Sequence, residues 1–454
     1  MALSAGSAAS DLFGKIQELL GRRSDAARLA EALYAGGAAP GERPNPERMA
    51  ADVRDALAFI ADKPKERHKI RVRAGSSDAT IEILNDDMPF LVDSIMGEMQ
   101  ARGLTVETLL HPLLRTRRSP AGRLEAILSP GDTGAGDGRR ESFILLRVRG
   151  LPEGAGRELE SALSALLDDV RIAVSDWSAM ASRVGAAIQR FEREPPEAPA
   201  ELVSETIAFL KWLVDGHFTF LGVRDLELSG SPDTGDLTTV EGSGLGLLRN
   251  PDIQVLRRRT EFVSMTPEIR RFFFGPSPLI ITKANVVSRV HRRVHMDYIG
   301  IKTYGADRKT PAGEIRIVGL FTSQAYTQSP RQIPFLRHKV ETVLANSGHP
   351  PESHDGKAIV NILETFPRDE LFQIGVRQLG EWVEGILALD LRPRVRVFAR
   401  MDRFERFVSL LVYAPRERYN SSVRERIGAL LARAYNGRVS ADYPFFPDGP
   451  LVRV

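Results

Sequence analysis

Residues 78 to 99 read DATIEILNDDMPFLVDSIMGEM, and Asp86 and Asp87 stand side by side where an alternating apolar run gives way to a spacing of three and four. Adjacent carboxylates can act as general acid and base, hold a ligand, or accept the first backbone N–H groups of a helix. His291 and His295, in VHRRVH, are spaced like metal ligands. Arg292 and Arg293 between them would repel a divalent cation, and no carboxylate completes a metalloprotease pattern, so both histidines read as strand residues on a mixed sheet face. EGSGLG, residues 241–246, begins like a dinucleotide loop, but one glycine comes a position early and no helix follows. It reads as a turn or bulge. The Gly-Lys pairs at Gly14 and Gly356 lack the rest of a phosphate loop, and there is no G-x-S-x-G elbow. The expectation is a chain with no catalytic, cofactor-binding or metal-binding residues of its own.

The two aspartates fall where a strand, ATIEIL, meets a helix whose apolar stripe is Met88, Leu91, Val92, Ile95, Met96 and Met99, with Gly103 suited to its end. One aspartate is therefore expected to cap that helix, worth about 1 kcal/mol, with Pro89 in its first turn. Phe90 lies off the stripe. Steps of three and four from it reach Asp93, Ser94 and Gly97, a small and polar face around one large ring. Such a ring calls for a cover, so Phe90 is expected to anchor a contact with another domain or subunit, and neither aspartate to be catalytic. Around this helix lie the strand-like runs KIRVRA, TVETLLHPLLRTRR and SFILLRVRG, then a helical pattern at Leu159, Leu163, Leu166 and Val170 leading into RIAVSDW, which reads as a strand. The order is βαββαβ, the ferredoxin-like arrangement, with two helices on one sheet face.

Length and composition bound the rest. At 454 residues the chain has room for about three domains. Hydrophobic residues make up 43% and charged residues 27%, an ordinary globular balance. The absence of cysteine excludes disulfides and thiolate chemistry. The net charge of +3 is too small an excess to argue for nucleic acid despite a pI near 9.1. The arginine-rich strands KIRVRA and RPRVRVFAR read as solvated edges, because ATIEIL and FILLRVRG offer no aromatic ring beyond Phe143 for stacking bases. No apolar run is long enough to span a membrane and the N-terminus lacks a leader pattern, so the expected location is cytoplasmic. Pro/Gly-rich stretches at Gly36–Arg48 and Glu192–Ala200 read as linkers, and Ser129–Arg140 as a hairpin insertion. The expected division is a helical lead-in over 1–50, a first domain over 66–190, a central α+β domain over 201–390 and a last unit over 391–454. In that unit RVSADYP starts a strand, and Asn420 or Ser421 can cap the helix SSVRERIGALLARAYNG. The chain stops at LVRV in a strand-like run, as a fragment of a longer polypeptide would.

Asp87, Met88, Pro89, Phe90, Leu91 and Val92 occupy the places of the D-R-P-G-L-L loop of ACT domains, which this segment resembles. Phenylalanine stands here where that family commonly has glycine. Longer blocks, NDDMPFLVDSI, DGHFTFLG, the TKANVVSRVHRRVHMDYIGIK region and above all SHDGKAIVNILETFPRDELFQ, resemble the N-terminal half of the large bacterial NAD-specific glutamate dehydrogenases. That resemblance implies an α+β chain of ACT-like domains flanking a central domain similar to the PAS-like one of the family, the last ACT module being cut short. It implies no cofactor in this chain, with NAD bound in the full-length enzyme by a catalytic domain beyond Val454. The partners implied are other copies of the chain, that catalytic domain and an amino-acid effector, with neither nucleic acid nor membrane. Asn85, Asp86, Asp87, Phe90 and Asp93 are the residues expected to meet an effector or an interface. The rival readings are a free-standing amino-acid-sensing or oligomerisation protein and an RNA-binding ferredoxin-like protein.

Overall fold

The computed structural model describes residues 14–22, 24–34, 45–64, 67–75, 78–129, 132, 138–230, 235–253, 255, 267–403, 406–447 and 449–454. The linker at Gly36–Arg48 and the insertion at Ser129–Arg140 fall largely outside them. The chain divides into two compact units: residues 1–175 together with 288–294, and residues 176–287 together with 295–454.

The first unit runs α1 (Asp25–Tyr34), α2 (Pro46–Ile60), β1 (Lys69–Ala74), β2 (Asp78–Asp86), α3 (Leu91–Ala101), β3 (Thr105–Leu110), β4 (Leu113–Arg118), β5 (Leu124–Ile127), β6 (Arg139–Arg149) and α4 (Gly156–Ser175). Its antiparallel sheet has the order β1-β2-β6-β4-β5, and β3 also pairs with β6. Asn45 starts α2 by accepting the Arg48 N–H at 2.8 Å, with Pro46 in the first helical position. Leu84, Phe143 and Leu145 from one sheet face share a core with Leu29, Val53 and Phe59 of α1 and α2. Alternation turns Ile81 and Ile83 to the other face. There α4 lies along β1 and α3 packs on α4 and β3.

The lead-in helices α1 and α2 thus cover a sheet face. Expectations further along the unit are corrected. RIAVSDW is helical, because the stripe Leu159, Leu163, Leu166, Val170 and Ala173 continues to the end of α4. The sheet position beside β2 that a final strand would fill is taken by β1, from the N-terminal side. Finally, α3 begins at Leu91 and not at Met88, because Phe90 has φ 72° and breaks the helical path.

The second unit comprises α5 (Trp177–Arg193), α6 (Ala200–Trp212), β7 (Phe218–Ser229), β8 (Asp236–Thr239), β9 (Leu245–Gly246), α7 (Pro267–Phe273), β10 (Leu279–Val287), β11 (His295–Tyr304), β12 (Pro311–Phe321), α8 (Ser323–Thr327), α9 (Leu336–Asn346), α10 (His354–Thr365), α11 (Arg368–Gln373), α12 (Val376–Leu391), β13 (Arg396–Met401), β14 (Val408–Pro415), α13 (Ser421–Ala434) and β15 (Leu451–Arg453). One antiparallel sheet has the order β10-β11-β12-β7-β8, with β9 on β7, and a smaller one has the order β13-β14-β15. A continuous core joins Val184 and Phe209 of α5 and α6, Ile299 and Ile317 of the large sheet, Phe366 and Trp382 of the helical stretch, and Phe398 and Tyr413 of the small sheet. The run RDELFQIGVRQLGEWVEGILAL, whose apolar positions Leu371, Val376, Leu379, Trp382, Val383 and Ile386 suit one long helix, is two, broken by extended backbone at Ile374 and Gly375. Asn420 caps α13 by accepting the Val423 N–H at 3.0 Å. RVSADYP forms no strand.

Candidate functional site

The expected site residues fall into two groups on either side of the turn between β2 and α3. Asn85 is fully buried; its Oδ1 accepts from Arg171 of α4 at 2.7 Å and its Nδ2 donates to the Asp86 carbonyl at 3.0 Å. Asp86 pairs with Lys63 and, at 3.1 Å, with Arg171. Partial burial pushes the Asp86 carboxyl up, but the hydrogen bonds from Lys63 and Arg171 outweigh it and hold the group below the usual aspartate range. Lys63 also lies 3.5 Å from Glu141, a fully buried carboxylate that receives the Arg118 guanidinium at 2.9 Å and the Thr116 hydroxyl at 2.9 Å. Asp87 pairs with Arg140 at 2.7 Å. Neither aspartate caps α3: the residue before the helix is Phe90, and no side chain accepts a first-turn N–H. Their carboxylates are drawn off by cations that sequence-local reasoning could not place, since Lys63, Arg140 and Arg171 lie 23 to 85 residues away from their partners.

The second group is the leading face of α3. The Phe90 ring meets the His291 ring with centroids 4.9 Å apart and planes at 40°. Asp93 reaches His291 Nδ1 at 3.0 Å, and the Ser94 hydroxyl accepts the His291 backbone N–H at 2.9 Å. Glu98, one turn on, takes Arg102 at 2.9 Å and Arg293 at 2.6 Å. Burial pushes the Glu98 carboxyl up, and these two guanidinium groups more than reverse it. Of the two histidines expected in one strand, only His295 is in β11; His291 sits in the preceding turn at φ 66°.

Chemically, these carboxylates are charge partners held by arginine and lysine, which suits fixing a surface and not transferring a proton. A further arrangement, missed in the sequence because its members lie almost 100 residues apart, is His68 with Nε2 at 2.8 Å from Ser164 Oγ and Nδ1 at 3.8 Å from Asp168. It has the order of a hydrolytic triad. Ser164 is mid-helix in α4, however, where the backbone N–H groups are bonded within the helix and none is free to stabilise an oxyanion. Among the described residues no group of three or more His, Asp and Glu side chains could hold a metal ion. The EGSGLG loop does not fit a dinucleotide either. The Gly246 N–H donates to the Asp176 carboxylate at 2.7 Å, and an acid there would repel a pyrophosphate. No helix among the described residues is long and apolar enough to cross a membrane.

Family models of glutamate dehydrogenase match three stretches of the chain: its ACT1 domain at residues 31–163, its helical motif 1 at 333–392 and its ACT2 domain at 396–454. Similar proteins include the NAD-specific glutamate dehydrogenases of Halomonas elongata, 35% identical over 84% of this chain and 23% of that protein, and of Pseudomonas aeruginosa, 34% identical over 84% and 23%. That of Mycobacterium tuberculosis is 26% identical over 79% and 21%. The chain belongs to the NAD-specific glutamate dehydrogenase family. It spans less than a quarter of the length of these relatives. Both groups of candidate residues up to Glu98 thus lie in the glutamate dehydrogenase ACT1 domain, α9 to α12 form its helical motif 1, and β13 to β15 with α13 form its ACT2 domain.

Proposed function

We propose that this chain is the N-terminal regulatory and assembly region of an NAD-dependent glutamate dehydrogenase, an enzyme that converts glutamate and NAD to 2-oxoglutarate, ammonia and NADH. The observation that carries the reading is that the matched stretches are two ACT domains and a helical motif, in a chain spanning 23% of the length of the Halomonas elongata enzyme. On this reading NAD is bound outside these 454 residues. The partners are further copies of the chain and the enzyme's own catalytic domain, and the location is the cytoplasm. The first unit is then a ferredoxin-like ACT fold in which β1 stands in for the last strand, and the large sheet of the second unit is the PAS-like element between the two ACT domains. Asn85, Asp86 and Asp87 stabilise the turn before α3, while Phe90 and Asp93 present a face whose covering is regulated by an amino acid. The purified chain is expected to show neither glutamate-dependent NAD reduction nor NAD binding by calorimetry; steady turnover by the pure chain would overturn the reading. Melting curves with each of the twenty amino acids identify the effector, since a ligand at 100 times its Kd adds about 2.7 kcal/mol.

A further inference from the structure

The seven residues Ser288 to Val294 leave the chain path between β10 and β11 and belong to the first unit. Within that unit they lie across the leading face of α3. His291 covers the Phe90 ring and bonds to Asp93 and Ser94; Arg293 pairs with Glu98 at 2.6 Å; Arg289 donates to the Ala162 carbonyl at 3.0 Å and stands 3.7 Å from Asp169. At Gly97 the same segment runs close to the helix: a Cβ there would meet the Arg293 side chain in ordinary van der Waals contact at 3.7 Å, so a longer side chain at that position would press on Arg293.

We propose that residues 288–294 are a releasable strap that keeps the leading face of α3 covered, and that its release is the conformational step by which this face is opened. Two features distinguish a strap from permanent packing. Its hold is mainly polar: Val290 is its fully buried large apolar side chain, while Asp93, His291 and Arg293 keep part of their surface in water. Segments with few buried apolar contacts open well below the energy of global unfolding. Both rings that meet at its centre also sit on strained backbone, Phe90 at φ 72° and His291 at φ 66°, a region that residues with a Cβ rarely adopt. Separation of the rings lets both residues relax. The strap continues directly into β10 and β11, and their pairing is already irregular between Lys283 and Val287, with Val287 opposite His295 as the last pair before it. The regulatory meaning of the strap rests on the reading given above; its release does not.

Hydrogen exchange on the purified chain tests it. Amides of 288–294 are expected to exchange roughly 100-fold faster than the β2–β6 and β11–β12 ladders, and several-fold faster again when salt rises from about 0.05 to 0.5 M. Gly97→Leu, which improves helix propensity while pushing on Arg293, is expected to speed exchange in 288–294 about tenfold further and leave both ladders unchanged. Ser94→Ala removes only the hydroxyl that takes the His291 N–H and is expected to act in the same direction. Exchange of 288–294 at the rate of the ladders in wild type overturns the strap, as does a Ser94→Ala variant whose 288–294 amides are no faster than wild type. Failure of the amino-acid screen with these exchange results intact would remove the effector and leave the strap.

Discussion

Phe90 shows how far a single residue can depart from what its neighbours imply. A residue with a Cβ in the left-handed region costs about 1–2 kcal/mol, and this is the position where ACT loops commonly carry glycine. Replacing Phe90 by Ala should remove the ring and keep the strain, whereas Phe90→Gly removes both. In urea titrations the glycine variant is therefore expected to be more stable than the alanine variant by about 1 kcal/mol, the reverse of the order at an ordinary helix position. Equal stability would mean that the backbone at residue 90 relaxes once the ring is gone. Asp86 supports a second expectation. Its folded-state pKa lies below the unfolded value, so its contribution is complete above that unfolded value, near 4, and is lost as pH falls through the lowered one. Asp86→Asn should flatten the acid side of the stability profile of the first unit below about pH 4 and leave the profile near pH 7 unchanged in slope. The strand-to-helix change at Asp86 was legible in the spacing of apolar residues. The sign of φ at Phe90 was not, because no local pattern calls for it, and the capping role failed because distant cations claim both carboxylates.

At the scale of elements, the block Glu364–Gln373 explains why one short stretch can be so distinctive without being a site. Phe366 is 2% exposed and Leu371 is fully buried. Arg368 donates to the carbonyls of Glu364 at 2.8 Å, Phe366 at 2.9 Å and Gln328 at 3.1 Å. Asp369 accepts the Tyr326 hydroxyl at 3.0 Å and lies 3.1 Å from Lys283 of β10, and Glu370 pairs with Arg400 of β13. Lys339 of α9 closes the end of α11 through the carbonyls of Leu371 and Ile374, at 2.6 and 2.7 Å. Almost every polar group in the block fixes one element against another. Phe366→Ala should cost about 3–5 kcal/mol, and Lys339→Met, which leaves buried carbonyls unpaired, about 1–3 kcal/mol. Denaturant midpoints unchanged by both would contradict this junction role. The apolar spacing Ile359, Ile362, Leu363 and Phe366, and the punctuation by Pro367, were readable as two helices meeting. The partners on α9, β10 and β13 were not, since nothing local in LRHKVE or VFARM says which strand or helix end they will reach. RIAVSDW was misread for the complementary reason: a short apolar run fits either period until the longer stripe it extends is known.

Over the whole molecule, the α+β character and the two ACT stretches follow from the alternation of strand and helix patterns and from the resemblance, but the helical motif before the second of them and the make-up of the units do not. The strap is separated in sequence from the rest of its unit by more than 100 residues, and α1 and α2 cover a sheet face from the N-terminal side. Such pairings depend on which exposed faces need a cover, a property of the assembled sheet and not of any window of sequence. Each unit nevertheless has its own buried apolar cluster, one around Phe59, Phe143 and Val53, the other running from Phe209 to Trp382. Separate cores predict separate cooperativity. Calorimetry of the chain should resolve two unfolding transitions; Phe59→Ala, at a residue 3% exposed, should lower one of them, and Phe366→Ala the other. Each substitution is large enough, at about 3–5 kcal/mol, to move its own transition by many degrees. A single transition displaced equally by both substitutions would show that the two cores melt as one, and the strap would then have no folded unit from which to be released on its own.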